Sequence, residues 1–196
     1  MQFPNNYTPF KILGATLCPP TPTTGHVFIA TSLDGYIARP DGTLDWLLSR
    51  DDPTEDHGYD AFITTMDCIV MGRGTFESVL TFPDWHYTLP VLVLSSTLKT
   101  IPAHLQGKVT LANLSPTEAM AHLAAQGHKR AYIDGGQIIQ SFLRARLIDT
   151  LTVTTAPVLI GAGRPLFGTL PQDLPLIHET TTAFPSGLVQ STWRRA

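Results

Sequence analysis

Residues 70–78 read VMGRGTFES. An apolar run ends at Met71, Gly72 and Gly74 make a turn, and Thr75 opens a helix. A strand that delivers the chain into a helix start is the building unit of an α/β sheet, and the free N–H groups of such a start hold anions. Arg73 adds a planar guanidinium suited to phosphate oxygens, and Thr75 adds a hydroxyl donor.

Two further segments repeat this geometry. Residues 93–99, VLSSTLK, leave a strand through Ser95 and Ser96 with Lys99 close by, a donor set suited to a phosphate. Residues 133–138, IDGGQI, place Gly135 and Gly136 between a strand and a helix, where a ligand can approach the backbone. Taken singly, each also reads as an ordinary βα turn or polar loop.

Around these turns the chain alternates strand and helix. Val27–Thr31, Asp67–Met71, Pro90–Ser95, Lys108–Leu111, Arg130–Asp134 and Thr150–Thr155 read as strands. Helices are expected at Leu44–Arg50, Asp56–Met66, Gly74–Leu80, Ser115–Gln126 and Gly136–Arg146. Ser115, Pro116 and Glu118 form a capping box at the clearest of them. Pro175–Thr182 and Gly187–Arg194 read as a closing hairpin. Continuous apolar strands separated by helices require a sheet covered on both faces. The expected fold is a three-layer α/β domain, with a mostly parallel mixed sheet and an antiparallel C-terminal hairpin.

Residues 1–25 carry Pro4, Pro9, Pro19, Pro20 and Pro22 and read as an extended arm; residues 26–196 form the domain. A net charge of −3 leaves no basic field for nucleic acid or anionic lipid. Only 15% of residues are charged, a mild sign of surface hidden in a dimer. Cys18 and Cys68 lack CxxC spacing and read as free thiols. His57, His86 and His178 lack metal-ligand spacing, so no metal is expected. No stretch reaches membrane-span length, residues 12–18 do not read as a secretory signal, and the cytoplasm is the expected compartment.

In order and spacing, the three turns resemble dihydrofolate reductase. That family has a Gly-Arg-x-Thr helix start, a strand ending in Ser-Ser, and a Gly-Gly turn before a helix, all lining its NADPH site. The resemblance implies that Gly72, Arg73, Gly74 and Thr75 hold cofactor phosphates, and that Ser95 and Ser96 meet the adenosine 2′-phosphate. It implies further that Gly135, Gly136, Gln137 and Ile138 wrap the pyrophosphate, and that the backbones of Ala30 and Ile133 border the nicotinamide. The substrate half differs. Aligning the tryptophans puts Thr43 where dihydrofolate reductase carries its acidic residue, and Asp45 falls out of register.

Residues 31–47, TSLDGYIARPDGTLDWL, and 155–167, TAPVLIGAGRPLF, are instead similar to the reductase domain of the bifunctional riboflavin-biosynthesis deaminase–reductase and its stand-alone relatives. That resemblance implies an NADPH-dependent reductase for a ribosylated pyrimidine or similar heterocycle, usually dimeric. The zinc deaminase motifs of the bifunctional enzyme are absent from the sequence. Asp34 and Gly35 either face the substrate or fix their own turn, with Asp34 one candidate proton donor. Trp46 either stacks on substrate or packs its helix, and Arg39 is the candidate for a substrate phosphate. Two other readings remain open: a dihydrofolate or other small-molecule reductase of the same fold, and a nucleotide-binding protein without turnover.

Overall fold

The computed structural model describes residues 22–50 and 54–196. The chain runs β1 (Thr24–Ser32), β2 (Tyr36–Ala38), α1 (Asp45–Leu48), α2 (Tyr59–Ile63), β3 (Cys68–Gly72), α3 (Arg73–Val79), β4 (Val91–Leu94) and β5 (Val109–Ala112). It continues through α4 (Pro116–Ala125), β6 (Arg130–Asp134), α5 (Gly136–Arg144), β7 (Thr150–Ala156), β8 (Arg164–Pro165), β9 (Leu176–Ala183) and β10 (Val189–Arg195).

Eight strands form one sheet in the order β5-β4-β3-β6-β1-β7-β10-β9, and β2 pairs with β8 in a separate two-stranded flap. The first six strands of that order are parallel, β10 pairs antiparallel with β7, and β9 pairs antiparallel with β10. This is the expected mixed α/β sheet. Its parallel strands alternate inward residues between two apolar layers. Val27, Val70, Ile133 and Leu151 pack under α4 and α5 with Leu123, Ile139 and Phe142. Ile69, Met71, Val93 and Tyr132 pack under α2 and α3 with Phe62 and Phe76.

Local chemistry sets several boundaries. The capping box at α4 is complete: Ser115 Oγ accepts from Glu118 N at 3.3 Å, and Glu118 accepts from Ser115 N at 2.8 Å. Ser115→Ala is expected to cost about 1 kcal/mol. In thermal denaturation that should lower the midpoint by roughly 2–4 °C for a domain of this size.

Strand β1 begins at Thr24, three residues before the expected strand start at Val27, so Thr24 and Gly25 of the expected arm belong to the sheet. Glycine is required at 25 because any Cβ there would overlap the Leu147 carbonyl. The rest of the expected arm through residue 21, Cys18 included, lies outside the described residues. Cys68 is free and buried, and burial pushes its thiol up to about 12. The expected helices at 44–50 and 56–66 shrink to four and five residues, and neither start has a side-chain cap. The β2–β8 flap has no counterpart in the sequence reading, because strands of three and two residues leave no period to detect.

Candidate active site

Parallel pairing brings the three expected turns to one edge of the sheet. Met71 lies opposite Asp134, and Gly72 lies opposite Leu94, so the turns after β3, β4 and β6 emerge side by side. Ala30 of β1 lies opposite Thr154 near the same edge. The turn after β6 packs directly against the turn after β3: the Gly135 Cα faces Thr75 Oγ1, and Gly72 faces the Ile138 side chain.

Neither α3 nor α5 has a side-chain cap at its N-terminus. Their first N–H groups therefore lack the partner that most helix starts acquire from their own sequence. Arg73 and Gly74 are exposed beside them, Thr75 is part-buried, and Gln137 is exposed at the first turn of α5. Ser95 Oγ accepts from Thr97 N and Leu98 N, at 3.2 and 2.9 Å, which shapes the turn that presents exposed Ser96. Lys99 Nζ lies 3.5 Å from the Ser96 carbonyl. Paired uncapped helix starts, an arginine, two serines and a lysine make a donor set that fits a phosphorylated dinucleotide such as NADPH.

Next to these turns, on the α2 side of the sheet, lies a part-exposed aromatic cluster that the sequence did not reveal. Phe28 of β1 is only part-buried although its strand is central. Phe62 stands 5.0 Å from Phe28 and 5.2 Å from Tyr132 between ring centres, and Tyr59 stands 5.8 Å from Phe28. Tyr87 reaches the same layer from the loop before β4, stacked edge-on with Trp85 at 5.3 Å.

Asp134, at the end of β6, is the carboxylate beside this cluster. Burial raises it from 3.8 to about 6, against the opposing pull of its bond from Gly135 N at 2.8 Å and of the Tyr132 hydroxyl. Its charge in turn helps hold the phenols of Tyr59, Tyr87 and Tyr132 above their ordinary value, with burial the larger cause in each. The signal available in the sequence was the residue before the Gly-Gly pair, at the end of an apolar strand. What hid it was distance: apart from Tyr132, its aromatic neighbours lie between 47 and 106 residues upstream.

The four expected substrate residues have partners of their own. Asp34 accepts from Ser32 Oγ at 2.6 Å, Gly161 N at 2.8 Å and Ile160 N at 3.2 Å. The Ser32 hydroxyl, followed by these N–H groups, holds its carboxyl below the ordinary value, so it stays an anion and is a poor proton donor. Gly35 is tied into the same clamp, its carbonyl accepting from Leu166 N at 3.0 Å. Arg39 forks onto Asp45 at 2.6 and 2.9 Å, which occupies the guanidinium face a phosphate would use. Trp46 is 3% exposed and packs with Ala156 and Leu188, so its ring has no face for a substrate.

A model of the RibD C-terminal domain family matches residues 23–190. The chain belongs to the RibD C-terminal domain family. Its relatives include YwjB of Bacillus subtilis strain 168, 33% identical over 163 residues that span 81% of this chain and 90% of YwjB. A Shewanella sp. PV-4 protein named for riboflavin biosynthesis is 43% identical, with a TM-score of 0.85 over 89% of this chain and 99% of that one. Two more distant structures share the fold. One is Enterococcus faecalis dihydrofolate reductase complexed with NADP(H), at TM-score 0.62, 18% identity and coverage of 89% and 98%. The other is the bifunctional deaminase/reductase of Thermotoga maritima, at TM-score 0.67 and 16% identity; this chain spans 57% of it. The RibD C-terminal domain is thus built here on a dihydrofolate-reductase-like frame. Among the described residues no helix is long and apolar enough to cross a membrane.

Proposed function

We propose that this chain is an NADPH-dependent reductase that delivers hydride to a C=N or C=O carbon of a small heterocycle, as its riboflavin-biosynthesis relatives suggest. One observation carries the reading: the three phosphate-type turns meet at one sheet edge, and the part-exposed aromatic cluster with Asp134 lies beside them. When bound, NADPH supplies the hydride from its nicotinamide ring. The chain's own residues do the rest. The N–H groups at the start of α5, with Arg73 and Thr75, hold phosphates. Ser96 and Lys99 select the 2′-phosphate. The backbones of Ala30 and Ile133 border the reacting face, and Phe28, Tyr59 and Phe62 orient the heterocycle and exclude water. Asp134 carries the proton that balances the hydride. A carboxyl with a value near 6 retains that proton in a useful fraction of molecules near neutrality.

The working unit is proposed to be a homodimer in the cytoplasm. All eight residues of edge strand β9 are exposed, and Leu176 and Ile177 are each 40% exposed. Long uncovered edges of this kind are normally paired or blocked. The buried free thiol of Cys68 suits a reducing compartment.

Fluorescence titration of the purified chain with NADPH and NADH tests the cofactor assignment. NADPH should bind at least about tenfold tighter. Loss of one phosphate donor in Arg73→Ala or Ser96→Ala should weaken NADPH by about 1.5–3 kcal/mol, roughly 10- to 100-fold. No binding of either nucleotide at millimolar concentration would sink the reading.

A further inference from the structure

We infer that Glu55 is a positioning residue, through which the β9–β10 turn fixes α2 and so sets the rings of Tyr59 and Phe62 beside Asp134. What those rings do rests on the reductase reading; how they are held does not.

Helix α2 cannot keep its own place. It has five residues and no side-chain cap, and it starts from Gly58 at φ +80°. Isolated helices shorter than about 12 residues do not persist in water. Its C-terminal end is tied into the sheet, because Arg130 Nε of β6 donates to the Thr65 carbonyl at 3.0 Å and Asp67 N donates to the Arg130 carbonyl at 2.9 Å. Its N-terminal end takes its anchor from the far end of the chain. The Glu55 side chain is only 7% exposed. Its Oε1 accepts from Ser186 N at 2.7 Å, and its Oε2 accepts from Ser186 Oγ at 2.6 Å and lies 3.1 Å from His57 Nε2. Bonds to a carboxylate are roughly twice as strong as neutral ones. A second tie runs beside them: Gln190 Nε2 of β10 donates to the His57 carbonyl at 2.9 Å and to Thr154 Oγ1 at 3.0 Å. The His57 ring also stands edge-on to Phe184, 4.6 Å between centres.

The anchor is itself firm. Phe184 N donates to the Leu188 carbonyl at 2.8 Å and Gly187 N to the Phe184 carbonyl at 2.9 Å, while Leu188 is buried against Trp46 and Ala156. Thr154 lies opposite Ala30 in the β1–β7 register. The hairpin therefore holds in one frame the loop that leads into α2 and the strand pair that the reductase reading sets at the nicotinamide. Phe62 and Tyr59 reach Phe28 at 5.0 and 5.8 Å from that frame. Ser186, Glu55 and His57 do not form a nucleophile relay. A relay sets the imidazole between hydroxyl and carboxylate, whereas here hydroxyl and imidazole both address the carboxylate.

Amide hydrogen exchange on the full chain tests the inference with Glu55→Gln, Ser186→Ala and the double variant. Phe62 N and Thr64 N, which donate to the Gly58 and Asp60 carbonyls, report on α2. In Glu55→Gln they should exchange about 10- to 100-fold faster, the range for losing bonds to a charged group. Ser186→Ala removes a hydroxyl 131 positions from Glu55, yet it should speed the same two amides by about threefold or more. The double variant should add little to Glu55→Gln, because the two side chains act as one unit. Amides of α4 and β6 should stay within about twofold of wild type. Nuclear Overhauser contacts from the Phe62 ring to Phe28 and Tyr132 should weaken in both single variants. Unmoved α2 amides in folded Ser186→Ala overturn the inference, and so does equal loosening of α4 and β6. NADPH titrated in the same series keeps the two readings apart. Wild-type affinity in Ser186→Ala is expected, and a tenfold loss would move the effect to the cofactor edge and overturn the inference. If the wild type itself binds no NADPH, the reductase reading falls, while the exchange rates still decide the role of Glu55.

Discussion

Asp134→Asn should lower the turnover rate at neutral pH by about 10²- to 10⁴-fold, the usual contribution of a positioned general acid. NADPH affinity should change little, because the amide retains an oxygen able to accept from Gly135 N. The pH dependence makes the role specific. Burial holds the folded-state carboxyl at about 6, above its ordinary 3.8. The protonated, donating form therefore predominates below pH 6 and falls about tenfold per unit above it. Wild-type turnover should show a descending limb with a midpoint near 6, and Asp134→Asn should lack it. A variant that loses turnover but keeps the limb would take Asp134 out of the proton path.

Stability should move in the opposite direction. A carboxyl whose folded value is raised contributes its full stability below pH 3.8, and that contribution is lost as the pH rises through 6. At pH 8 the ionised, buried group costs the wild type at most about 3 kcal/mol, from the difference of the two values at 1.36 kcal/mol per unit. Asp134→Asn should therefore melt higher than wild type at pH 8, and the two should converge toward pH 4. Loss of activity with a gain in thermal midpoint separates a strained functional group from a merely structural one.

Gly135→Ala is expected to be the most damaging single change at the cofactor edge. Gly135 has φ +90° and ψ 132°, a conformation that side chains rarely tolerate, and any Cβ would overlap Thr75 Oγ1. Backbone strain of about 1–3 kcal/mol adds to overpacking of similar size. A total of about 3 kcal/mol corresponds to roughly 6–12 °C in a domain of this length. Because the same turn supplies the N–H groups of α5, NADPH affinity should fall with stability. Calorimetry and nucleotide titration of the purified variant check both. A variant with wild-type midpoint and affinity would show that the two turns are not in contact.

The meeting of the three turns at one sheet edge was legible in the sequence because each turn is local. Gly72–Thr75, Ser95–Ser96 and Gly135–Ile138 are each contiguous, and parallel pairing of β3, β4 and β6 needed only the alternation of strand and helix to be foreseen. The substrate half was legible only in part because its parts are assembled across the chain. Asp34 stood out beside its glycine, yet its three donors include N–H groups 126 and 127 residues away. Arg39 looked available because its partner Asp45 lies across a turn that spacing alone does not close. Tyr59 and Tyr87 lie in a short helix and a loop, where no period marks a side chain as inward-facing. Their common neighbour, Asp134, becomes conspicuous only once β6 is set between β3 and β1.

The β2–β8 flap lies directly over the start of α5: Ile37 and the Pro165 carbonyl sit against Gly136. The Asp34 bonds join the two loops that make the flap, so they are held as one piece. A group held at that helix start would share a wall with the flap, so loosening the Asp34 bonds would alter its affinity with no change in the residues that touch it.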